Sequence, residues 1–322
     1  MFACLQLCRA QQVSEAEDGF LKQLKPGGSL PEKLLSTRSV VFYTYTITGA
    51  ELEKAQQSFQ KTGIDAEFFF VSDYLFASKD VSAALASYLI TREVPNLVFL
   101  QKKPEGYSLY MMAANGKPTL VDAGQAAWFM QDRVLGDLLT KTYRACAASQ
   151  KKQNLLVNEV PETGITVNPI LGRRSDFFAI DLKIDPIAIP KTGNEIEDKE
   201  LEAFFATYPY KYKLTEPGLT EKELRKQGFY YVLCSIHARG KVAKELLGYD
   251  MTKAESAITS VTYPEGQQVL TTYSADEPVY KFYIKHIDSQ NVFLGTKWDA
   301  DVTWQAALQN HLKAFKVELK IP

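Results

Sequence analysis

Three histidines, with a few acidic and basic residues near them, are what this chain offers for acid–base, metal or anion chemistry. His237 and Arg239 lie just after a strand-like run, followed by Gly240 and Lys241 at a helix start. A short basic turn against a helix N-terminus is an arrangement that holds anions. Gly240 stands alone, with no glycine-rich cradle, so a solvated connection is the plainer reading. His286, followed by Asp288, is placed as a general base oriented by a carboxylate. Asp299 and Asp301 are candidate ligands for a hard cation, which takes about six to eight oxygens. Lacking an Asp-x-Asp-x-Asp-Gly loop, they read better as a cap on the helix that follows. Arg173-Arg174 forms a pair able to grip a carboxylate or phosphate, or to meet the acidic helix over 195–202. An enzyme would need His237, Arg239 and His286, with Asp299 and Asp301, in one pocket. No Gly-x-Ser-x-Gly elbow is present. Ser235, beside Cys234 in a strand, reads as core, as does His311 on the apolar stripe of Trp304, Leu308, Leu312 and Phe315.

Composition narrows the alternatives. The 322 residues carry 37 Lys+Arg against 38 Asp+Glu, a balance with no global field for nucleic acid or an anionic membrane. No stretch approaches the ~20 apolar residues of a membrane span, and no cofactor motif appears. Cys146 and Cys234 fall in different halves and read as small hydrophobes or, in an oxidising compartment, as a disulfide. The second half is rich in tyrosine, which buries area while keeping a polar tip. Tyr208, Tyr210 and Tyr212, alternating with Pro209, Lys211 and Lys213, read as rings exposed together for a protein or peptide partner.

These residues must be positioned by two domains, since one domain takes about 100–200 residues. Residues 39–46 are β-branched and aromatic and read as a strand. Thr48 caps a helix with Leu52, Ala55 and Phe59 on one stripe, and Gly63 ends it. The run Phe68-Phe69-Phe70 suits a strand covered on both faces. Asp80 opens a helix with Val81, Ala84, Leu85, Tyr88 and Leu89. Residues 96–100 and 107–112 form a hairpin about Pro104-Glu105-Gly106, and a helix runs over 123–148.

This β-α-β-α-β-β-α order, with Val94-Pro95 opening the third strand, resembles the thioredoxin-like fold over about a third of the chain. The resemblance implies a cis Pro95 standing beside the segment Ile47-Thr48-Gly49-Ala50, where the family's Cys-x-x-Cys would fall. None of those four residues is Cys, so no thiolate is available to attack a disulfide. The implied domain, over 39–148, is a redox-inactive scaffold with Pro95 as a peptide-gripping residue.

A polar linker follows over 149–169, and residues 170–322 read as an α+β domain with a mainly antiparallel sheet. Its strands fall at 177–184, 229–236, 258–263, 268–273, 279–286 and 291–297, with helices over 197–207, 241–247 and 302–315. The two halves share no sequence repeat. Residues 1–10 read as the tail of a secretory signal, with small residues Cys8 and Ala10 before Gln11, and 11–38 as a lead-in. The expectation is a periplasmic or secreted binding protein, a cytoplasmic one being the alternative.

Overall fold

A computed structural model describes residues 11–149, 157–163, 167–252 and 256–320. The proposed signal remnant and most of the linker lie outside them. The chain divides into two compact units that meet at Val167/Asn168.

The first unit runs α1 (Gln11–Lys22), β1 (Lys25–Pro26), β2 (Arg38–Tyr43), α2 (Gly49–Thr62), β3 (Asp65–Val71), α3 (Ser72–Phe76), α4 (Lys79–Thr91), β4 (Asn96–Lys103), β5 (Gly106–Ala113), β6 (Ala126–Asp132), α5 (Leu135–Ala148) and β7 (Glu162–Thr163). Its seven-stranded sheet has the order β1-β6-β5-β4-β2-β3-β7. Val40, Val41 and Phe42 of β2 are wholly buried because both faces are covered. One face packs Val41, Val98 and Met111 under α2 and α5; the other packs Phe42, Phe68 and Phe99 under α1, α3 and α4. Thr48 and Glu51 form a reciprocal capping box on α2, and Gly63 closes it at φ 86°.

Three expectations change here. Residues 126–132 are a strand, because Ala127 packs on one face while Trp128 and Met130 pack on the other, a period of two that no helix accommodates. Ser78, not Asp80, caps α4, accepting from the Val81 amide at 3.2 Å. Pro95 does not stand beside residues 47–50. β4 runs parallel to β2, pairing Asn96 with Ser39 and Leu100 with Tyr43, so Pro95 lies where β2 begins and Thr48 follows its far end. The described residues contain no cis peptide bond. The proline that the thioredoxin-like resemblance implied is therefore trans and at the wrong end of the sheet.

The second unit runs β8 (Arg174–Ser175), a 3₁₀ turn (Ile180–Lys183), β9 (Ile187–Pro190), α6 (Glu195–Phe205), β10 (Tyr212–Thr215), α7 (Glu221–Lys226), β11 (Tyr231–Arg239), α8 (Gly240–Leu246), β12 (Ala257–Thr262), β13 (Val269–Ser274), β14 (Pro278–His286), β15 (Val292–Phe293) and α9 (Trp304–Glu318). Its six-stranded sheet, β10-β9-β11-β14-β15-β8, is mixed rather than mainly antiparallel: three joins are parallel and two antiparallel. β12 and β13 form a separate hairpin. The strand expected at 177–184 is a turn, since Phe178 and Leu182 are buried while Ile180 and Ile184 are exposed, a spacing of four. The central strand is the short apolar run Ile187-Ala188-Ile189, which was too brief to stand out.

The two sheets share one plan. β1-β6-β5-β4-β2-β3 and β8-β15-β14-β11-β9-β10 match strand for strand in order and in every relative direction. Matching the helix caps Thr48 and Asn194 brings Val41 onto Ile187, Ala55 onto Leu201 and Phe59 onto Phe205, all facing the same helix-covered side. Where the first unit turns at Pro104-Glu105, the second inserts α8 and the β12–β13 hairpin.

The β4–β5 turn supplies a test. Gly106 sits at φ 137°, and a Cβ there would strike the Asp132 carbonyl and lie 2.7 Å from Arg133 Cα, whereas Gly63 faces open space. Gly63→Ala should cost only the left-handed backbone penalty of about 1–2 kcal/mol. Gly106→Ala should cost clearly more, read as a larger drop in urea midpoint.

Candidate functional site

In an open α/β sheet the ligand crevice lies beyond the carboxyl ends of the parallel strands, where the chain switches direction across the sheet. That point falls between β2 and β4 in the first unit and between β9 and β11 in the second.

The first is closed. Beyond Tyr43 the ladder continues, with Thr44 N donating to Leu100 O at 3.2 Å and Lys102 N donating to Thr44 Oγ1 at 2.9 Å. Above it Glu51 accepts from Lys102 Nζ at 2.8 Å, from Thr48 N at 2.7 Å and from the Tyr107 hydroxyl. These donors outweigh partial desolvation and hold the Glu51 carboxyl down at about 2.

The second is open. β9 pairs with β11 only at Ile187–Tyr231 and Ala188–Val232. The residue matching Thr44 is Pro190, which has no N–H to continue the ladder. β9 instead follows β10, with Lys191 N donating to Thr215 O at 3.0 Å. β11 continues alone on that side to Arg239, paired throughout with β14. Alternate residues of an antiparallel strand turn their amide and carbonyl outward. Tyr280 exchanges both of its backbone bonds with Asp301, away from β11, which sets the phase. The Leu233 carbonyl and the main-chain groups of Ser235 and His237 therefore aim toward the β9 side beyond the last β9–β11 rung, in which the Leu233 amide still meets Ala188, and the ladder offers them no backbone partner among the described residues.

Side chains suit the same opening. Ser235, expected in the core, is exposed because the strand that would cover it has diverged. His237 stacks on Tyr280 with centroids 3.9 Å apart and planes 3° from parallel, as the close non-hydrogen-bonded cross-strand pair allows. Its Nε2 is buried without a partner. Burial pushes the imidazole down to about 4, so at neutral pH the ring is uncharged and offers one donor and one acceptor. After β9 the chain enters α6, whose Asn194 cap accepts from Ile196 N and Glu197 N.

The other expected site residues lie elsewhere. Arg239 is 3% exposed and pairs with Asp276 at 2.9 Å, so it is not a free anion ligand. His286 pairs with Tyr231, six residues along β14 from Tyr280, about 20 Å from His237 at ~3.4 Å per residue. Its Nδ1 accepts from Ser289 N at 3.2 Å, while Asp288 is taken by Arg225. Arg174 lies over Tyr249 and pairs with Asp176 rather than with the helix over 195–202; Arg173 is exposed. Tyr208 is buried against Phe205 and Phe315, with Tyr210 and Tyr212 half-buried around it, so the three rings are core and not a display. Pro95 is half-buried, and its carbonyl accepts from Ala114 N at 2.8 Å. Cys146 and Cys234 are not joined in a disulfide; one is buried and the other half-buried.

Asp299 and Asp301 cap nothing and ligate nothing. Thr303 caps α9, and no group of three metal-ligating side chains occurs among the described residues. Asp301 accepts from Asn310 Nδ2 at 3.1 Å. Asp299, wholly buried, accepts from Lys281 Nζ at 2.5 Å and lies 3.1 Å from His311 Nδ1. Burial alone would raise the Asp299 carboxyl; Lys281 and His311 reverse that and hold it below its ordinary value. Lys281 is wholly buried as well, its ammonium also donating to Leu294 O at 2.7 Å.

Two outcomes follow. In hydrogen exchange, the Ser235 and His237 amides should exchange at least about tenfold faster than those of Cys234 and Ile236, which bond β14. Equal protection along β11 would mean the opening is closed in solution. Lys281→Met, leaving a buried carboxylate without its cation, should destabilise by about 3–5 kcal/mol in urea unfolding, with much of that recovered in Lys281→Met/Asp299→Leu.

Comparisons with protein-family models, with curated proteins and with solved structures give no match for this chain.

Proposed function

We propose that this chain is an exported binding protein that takes up an extended peptide segment of a partner as an added strand beside β11. The observation that carries this is the parting of β9 and β11 after Val232, which leaves the Leu233 carbonyl and the main-chain groups of Ser235 and His237 without backbone partners among the described residues. A peptide strand satisfies such groups in sequence-independent fashion and draws specificity from alternate side chains. Ser235 and the uncharged His237 ring would read one of them. Recognition fits better than catalysis, because His237 is not oriented by a carboxylate and His286 is remote. The first unit, its switch point closed and without sulfur at residues 47–50, serves as scaffold. Export rests on the apolar residues 1–8 with Cys8 and Ala10 before Gln11.

The test is selection of peptides from a random display library against the full chain. A selected peptide should slow exchange of the Ser235 and His237 amides, and N-methylation at alternate peptide residues should abolish binding. Selected peptides that leave those amides unprotected, or a library that yields none, would overturn the reading.

A further inference from the structure

On the first unit, α1 lies across the sheet face at the carboxyl ends of β3 and β4. Phe20 packs on Phe76 and Phe99 with centroids 5.5 and 5.3 Å away, and Leu21 is buried beneath the helix. Glu17 is pressed into the same surface, 3% exposed. Its Oε2 accepts from the Ser72 hydroxyl at 2.8 Å, and its Oε1 is buried without a partner. The charged and titratable groups around it are unfavourable to a carboxylate. Asp18 adjoins it on α1, and Asp73 on α3 is 2% exposed. Burial raises the Tyr110 hydroxyl on β5 above its ordinary value, so it is neutral, and Lys103 on β4 pairs with Asp18 at 2.7 Å. Beyond Gln23 the helix hangs from β1, which is held by the two-residue pairing of Lys25–Pro26 with Ala126–Ala127.

We propose that α1 is a pH-released strap, docked while the Glu17 carboxyl keeps its proton and freed when that proton leaves. Release uncovers Phe76 and Phe99 and widens the adjoining cleft of about 500 Å³, whose floor is Gln101, Ser108, Tyr110, Phe129 and Gln131. Burial, the largest cause, raises the Glu17 carboxyl from 4.5 to about 7, with Asp18 and Asp73 adding to it against the Ser72 hydrogen bond. A raised acid of this kind leaves docking at full strength below about 4.5. Docking then weakens as pH rises and reaches its low plateau above about 7. Between pH 6 and pH 8.5 the docking equilibrium should fall about tenfold.

The experiment is hydrogen exchange of the full chain at pH 6 and pH 8.5, corrected for intrinsic exchange. Protection of the α1 amides should drop about tenfold while that of the β2 amides holds, and Glu17→Gln should abolish the drop. Lys103→Met, which removes only the Asp18 partner, should keep it. Constant protection in the wild-type chain, an equal drop in Glu17→Gln, or a parallel drop in β2 would each overturn the proposal.

Discussion

Each unit hangs on one strand buried on both faces, β2 in the first and β9 in the second. Such a strand needs a helix on either side and a parallel neighbour at either edge. A right-handed crossover satisfies this by going out over one face and returning over the other. The order β4-β2-β3, and likewise β11-β9-β10, follows from that requirement. The antiparallel pair beyond and the closing helix then cover what remains. Two chains of unrelated sequence thus reach one topology, because the burial of three consecutive apolar residues leaves few other solutions.

The same plan makes the difference between the units interpretable. In the first, Thr44 carries the β2–β4 ladder past the end of the strand, and the Glu51–Lys102–Tyr107 group lies over it. In the second, Pro190 withholds the single N–H that would do this. The insertion after Arg239 replaces the tight turn and lets β11 and β14 run on together. A residue that cannot donate and a neighbour that cannot stop produce an opening where the fold ordinarily places ligands. Backbone chemistry at one position does more here than any reactive side chain.

Much of the local structure was legible in sequence. The Thr48 cap, the Gly63 stop and the stripe of Leu52, Ala55 and Phe59 are nearest-neighbour physics. Strand direction was not, because parallel and antiparallel placement of residues 96–100 present the same apolar run, and Pro95 fits the start of either. Nor was the repeat, since between 41–63 and 187–209 only Thr46 and Thr192, Glu51 and Glu197, and Phe59 and Phe205 are identical. The residue type of His237 points to acid–base chemistry, whereas the structure shows its ring nitrogen buried without a partner beside a strand edge that β9 leaves after Val232. Ser235 was hidden because exposure depends on where β9 goes, which no window around Ser235 contains.

Two buried carboxyls show how the same group becomes either fixed or responsive. Asp299 is more deeply buried than Glu17, yet Lys281 and His311 bond its two oxygens, and together they hold its carboxyl below its ordinary value. Its cost was met when the cation was buried with it, so pH has nothing left to change. Glu17 was given a hydroxyl but no charge, and Lys103 pairs with Asp18. A carboxyl so placed is stable only with its proton. Its helix sits at the end of a chain segment tied down by two residues of strand, so the energy released on ionisation has a small element to move rather than a core to break. Titration at Asp299 would unfold the second unit; titration at Glu17 needs only to lift α1.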